Sequence, residues 1–115
     1  MDEREIIYLE QWKSELEKEL RLYEEQRESI TNQMASLRAK KEIINQVSQN
    51  MLLVDEELSR SEFEQHFEIQ QIDDELERLT LDLEYITSSN RAGSIYNELV
   101  IRQIEQKLTE WEQHA

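Results

Sequence analysis

The sequence predicts an all-α fold: one long N-terminal helix packed with two shorter helices, as an antiparallel coiled-coil hairpin or elongated three-helix bundle. Three observations predict it. Leu9, Leu16, Tyr23, Ile30, Leu37, Ile44, Met51 and Leu58 recur at every seventh residue, and all are apolar. The 115 residues contain no Pro and a single Gly, which leaves little material for strands joined by tight turns. Finally, hydrophobic residues make up 37% of the chain and charged ones 35%, a balance that suits long helices with narrow apolar seams.

The seven-residue repeat defines the first helix, over about 3–57. Its members occupy d of a heptad, and Ile6, Lys13, Leu20, Arg27, Met34, Lys41, Ser48 and Asp55 occupy a. An average spacing of about 3.5 residues implies a left-handed supercoil against a neighbouring helix. Such a rod is about 80 Å long. Its cationic a-layers have two readings: they set the register of an ordinary coiled coil, or they offer donors to a partner's carboxylates.

A second seam, Ile69, Ile72, Leu76, Leu79, Leu83 and Ile86, defines a helix over about 62–88. Ser61 and Glu64 have capping-box spacing at its start. The chain must reverse somewhere in 48–61. Residues 88–94 have loop composition and include the only Gly, Gly93. Ser94 is then the expected N-cap of a third helix over about 95–114, with Ile101, Ile104, Leu108 and Trp111 as its seam. A connection of this length favours an antiparallel neighbour, hence an up-down-up bundle. In the end-to-end alternative, Trp111 instead comes close to Trp12. Either way residues 1–115 are read as one helical domain.

Charge narrows the function. With 27 acidic and 13 basic residues the formal charge is −14, the wrong sign for direct nucleic-acid binding or for docking on anionic membranes. The longest wholly apolar run, Met51 to Val54, is too short for membrane insertion, and the acidic first twenty residues do not resemble a secretory signal. The expectation is a cytoplasmic protein, with leaderless export left open. Cysteine is absent, the two histidines lack the Glu-x-x-His spacing of carboxylate-bridged metal bundles, and no Gly-rich phosphate loop or nucleophile elbow is present. The reading is therefore not an enzyme, with no cofactor and no metal site.

Two sets of residues remain as candidate binding features. Met51, Leu52, Leu53, Val54, Phe63 and Phe67 lie about the reversal, where they form either a hydrophobic tip for a partner or a cap on the protein's own core. Asp73, Asp74, Glu75, Glu77, Asp82 and Glu84 make the middle segment acidic, either as a solvated face or as a mimic of a phosphate row. In outline the pattern resembles small helical hairpins such as prefoldin-type chaperones, secretion-system chaperones and their partners, and phage assembly or inhibitor proteins. No motif selects one family: the Trp-x-Gly turn of type VII secretion substrates has no counterpart, since Ser14 follows Trp12 and Gln113 follows Trp111.

The function expected is that of a non-enzymatic interaction module. It acts as an accessory, adaptor or chaperone-like partner that binds another protein, through a helical or basic surface of that protein, with its own apolar helix stripes. One alternative is an acidic inhibitor that occupies the basic groove of a nucleic-acid-binding protein. Another is a structural coiled coil that self-associates into a homo-oligomer.

Overall fold

The computed structural model describes residues 1–51, 55 and 57–114. They form three helices and, among the described residues, no strand: α1 (Glu3–Asn50), α2 (Arg60–His66) and α3 (Ile69–His114). The chain divides into two compact units, Met1–Arg27 with Ile86–Ala115, and Glu28–Tyr85.

Helix α1 starts where Asp2 accepts the Glu5 N–H on its carboxylate at 2.9 Å, with Glu3 and Glu5 placed favourably in the first turn. Its heptad pattern is realised closely. From Ile6 to Met51 every a and d residue is buried or half-buried except Arg27. The helix ends at Asn50 rather than near 57. The a/d stripe continues in sequence through Leu58, but Asp55 substitutes a local turn for the helix. Its carboxylate accepts the Glu57 N–H at 2.9 Å and its carbonyl accepts the Leu58 N–H at 3.3 Å. Leu58 is accordingly exposed.

Helix α2 begins one capping box earlier than expected. Ser59 and Glu62 share the Ser-x-x-Glu spacing of Ser61 and Glu64, and the Ser59 hydroxyl accepts the Glu62 N–H at 3.2 Å. Ser61 lies inside the helix, and Glu64 is free to turn toward α1. A break at Phe67–Glu68 then separates α2 from α3, which the sequence reading had joined. If the seam of α3 were extended backward without interruption, Ile69 and Glu62 would share one heptad position. Phe63 would then fall one residue past the seam and face away from α1. The break re-phases α2, and Phe63 is half-buried on the groove that Met51 also lines. Glu68 adopts φ 55°, in the left-handed region that costs a residue with a Cβ about 1–2 kcal/mol. Glu68→Gly is expected to raise stability by about 0.5–1 kcal/mol, because relief of that strain outweighs the extra freedom glycine has when unfolded; a urea titration measures it.

Helix α3 overturns the up-down-up arrangement, since it merges the expected second and third helices. Residues 88–94 are helical, with no loop there and no N-cap at Ser94, so 69–114 is one helix of 46 residues. The physical reason is visible in the seam. One row runs on at seven-residue steps through Leu83, Asn90, Asn97, Ile104 and Trp111, while its companion row shifts by one residue, from Leu79 and Ile86 to Ile101 and Leu108. An apolar stripe is thus available on both sides of the polar stretch without a break in the helix. Helix propensities differ by only about 0.5 kcal/mol among most of these residue types, too little to break a helix held by packing on both sides. Asn90 directs its amide back to the Ile86 carbonyl at 2.9 Å and leaves the backbone ladder intact. Trp12 and Trp111 fall in the same compact unit, as the end-to-end layout requires.

Within the first unit α1 and α3 are antiparallel. The Lys13 ammonium lies 3.5 Å from Glu105, and the Asn97 amide donates to Glu19 at 2.8 Å. Leu16, Ile101 and Ile104 form the core, with Leu9, Leu20, Val100 and Leu108 against it. In the second unit Met34, Ile44, Met51 and Leu79 are buried, and Lys41 pairs with Asp73 across the helices. Lys13 and Lys41, both at a, are thus met by carboxylates of the chain itself. Arg27 stacks on the Tyr23 ring, 5.6 Å from its centroid.

Candidate functional site

The reversal in the second unit builds an open apolar groove. The last turn of α1 supplies Val47, Met51 follows its end, the connection supplies Leu58, and α2 supplies Phe63. Together they line a groove of about 660 Å³, whose polar rim includes Glu62 and His66. Val47 and Leu58 are each 45% exposed, whereas Met51 is buried. Beneath it, Ser48 is fully buried and is held by α2. Its hydroxyl donates to Glu64 Oε1 at 3.1 Å and accepts from Arg60 Nε at 3.2 Å. Because this buried hydroxyl is satisfied only by two side chains of α2, it ties α2 to the end of α1.

Phe63 and Phe67 touch, with ring centroids 5.1 Å apart, and the His66 ring meets Phe67 edge-on at 4.9 Å. The two phenylalanines nevertheless line different grooves. Phe67, 47% exposed, belongs to a second depression of about 450 Å³ formed with Ile43, Ile44 and Ile72. Of the residues expected at a hydrophobic tip, Met51 and Phe63 share one groove and Phe67 lines the other. Leu52, Leu53 and Val54 lie outside the described residues.

The acidic set is not a single face. Asp73 is turned toward Lys41, and Asp74 accepts from Gln70 at 3.0 Å. Glu75 and Asp82 both hold Arg78, whose Nη1 lies 3.1 Å from Asp82. Glu77 and Glu84, one heptad apart, are exposed on a different row. The hydrogen bonds from Arg78, offset in part by desolvation and reinforced by its charge, hold the Glu75 carboxyl below its ordinary range. Because the folded value is depressed, this contribution is complete above the ordinary Glu range and is lost as pH falls through the lowered value. In Arg78→Gln the Glu75 carboxyl should titrate at higher pH, which an NMR titration of its side-chain carbon reads directly.

Among the described residues no group of three or more His, Asp or Glu side chains is placed to hold a metal ion, and no helix is long and apolar enough to cross a membrane.

The first unit carries a further groove that seam periodicity does not predict. Met1, Leu9, Trp12, Leu99, Val100 and Ile104 line about 420 Å³ between α1 and α3. Trp12 lies off the a/d seam of α1, and only the packing of α3 beside it makes it part of a surface. No family model, curated protein or solved structure matches this chain.

Proposed function

We propose that this protein is a non-enzymatic interaction module, an adaptor or chaperone-like partner, that binds another protein through apolar surface its own helices leave open. One observation carries the reading: Val47, Leu58 and Phe63 form an open apolar groove over buried Met51, on a frame fixed by the Ser48–Arg60–Glu64 hydrogen bonds. Exposed apolar side chains on a rigid helical frame offer a ready anchor for a partner's side chain, because their burial needs little ordering of the receptor. The rival reading, an acidic decoy for a basic groove, is weakened by the chain's internal use of Asp73, Glu75 and Asp82 in ion pairs. Those carboxylates already have cations.

Site-specific photo-crosslinking in the native host tests the proposal. A crosslinker at position 47, 58 or 67 should give a discrete adduct with a different protein. That adduct should survive about 0.5 M salt, where charge-dominated contacts are screened, and should survive Glu75→Lys with Glu77→Lys. Adducts only between copies of this chain would establish the structural coiled coil instead. Loss of the adduct in salt and on charge reversal would establish the decoy.

A further inference from the structure

The Trp12–Leu99 groove of the first unit is flanked by carboxylates on its α1 side. On α1 the two heptad rows beside this groove carry Met1, Tyr8, Trp12 and Leu22 together with Glu5, Glu15 and Glu19. Over residues 1–27 neither of these two α1 rows holds an Arg or a Lys. On α3 the row beside the seam carries Val100 and Lys107, and the rows beyond it carry Tyr96 with Glu110 and Leu99. The one cation at the groove, Lys107, lies 3.5 Å from Glu110 and is matched locally. The apolar part is open: Trp12 is 47% and Leu99 55% exposed.

We propose that this groove receives a basic amphipathic helix of a partner protein, which completes a three-helix bundle on the first unit. Two antiparallel helices already supply two sides of such a bundle, and the missing third would lay its apolar stripe on Trp12, Leu99 and Val100. Lysines or arginines flanking that stripe would then meet Glu5, Glu15 and Glu19. A second copy of this chain is the poorer occupant. Each copy carries a net charge of −14, and the same carboxylate rim would be brought against acidic helices. The proposal rests on the reading of the chain as a protein-binding module, and it names a site in the other unit together with the chemistry of its occupant.

The test uses the full chain carrying Trp111→Phe, so that Trp12 is the sole indole. Three designed peptides of about four heptads serve as probes: a Leu/Lys amphipathic helix, its Leu/Glu counterpart, and a Ser/Lys peptide of the same charge. Only the Leu/Lys peptide should shift Trp12 emission to the blue, saturably and at one peptide per chain. Leu99→Glu, and separately Glu5→Lys with Glu15→Lys, should weaken that binding about tenfold or more, while Leu81→Glu in the other unit should not. Equal binding by Leu99→Glu, or an equal shift with the Ser/Lys or Leu/Glu peptide, would overturn the proposal. So would a concentration-dependent dimer in sedimentation that Leu99→Glu abolishes, since the groove would then belong to a second copy. Failure here with the crosslinks at 47, 58 and 67 retained removes this groove alone. Loss of those crosslinks removes the broader reading.

Discussion

Ile104→Ala is expected to destabilise the protein by about 2–4 kcal/mol. Ile104 is 3% exposed and packs with Leu16 and Ile101 at the centre of the first unit. Truncation removes three buried carbons and leaves a space that Leu9, Leu20, Val100 and Leu108 can fill only in part. In a pair of helices each layer has few members, so one truncated side chain is a large share of the contacts at that level. Against a total stability of about 5–15 kcal/mol, typical of small proteins, the loss is substantial. Both tryptophans belong to this unit, so urea unfolding followed by fluorescence reports on it directly. The internal control is Ile95→Ala. Ile95 is exposed on the same helix, and its truncation should change stability by about 0.5 kcal/mol or less. Comparable losses at the two positions would mean that Ile104 is not the core residue its burial makes it.

Legibility differed sharply between the seams and their ends. The a/d rows from Ile6 to Met51 and from Ile69 to Ile86 could be read from periodicity alone, because a helix that buries one stripe must place apolar residues at that spacing. Helix ends are set by a few hydrogen bonds, and here two signals competed each time. Ser59 and Ser61 both begin a Ser-x-x-Glu capping box, and only the chain's path decides which is used. Asp55 stood at an in-phase a position, yet its carboxylate was better placed to accept the Glu57 N–H than to extend the helix. The candidate tip was legible as composition, but its division into two grooves was not. That division depends on the left-handed backbone at Glu68, which no pattern of apolar residues encodes. The Trp12 groove was overlooked for a different reason. A single aromatic off the seam looks incidental in one helix, and it becomes a surface only when the partner helix sets Leu99 and Val100 beside it.

Gly93 provides the second large effect, through two substitutions of opposite sign at one position. It lies within α3, its φ is not positive, and a Cβ built on it would meet nothing within 4 Å. Gly93→Ala therefore introduces no clash and removes the conformational freedom that makes glycine a poor helix former. Stability should rise by about 1 kcal/mol. Gly93→Pro removes the N–H that bonds the Ser89 carbonyl and drives its ring against that same carbonyl, so stability should fall by about 3 kcal/mol or more. The difference, about 4 kcal/mol, is well outside the error of a denaturant titration monitored by circular dichroism. Were 88–94 the connection its composition implies, the pattern would differ. Proline would be tolerated there and alanine would gain little, because a loop has no ladder to lose and no helix propensity to satisfy. The pair of variants thus tests the continuity of α3 at its weakest residue, and with it the topology that puts Ile101 and Ile104 opposite Leu16.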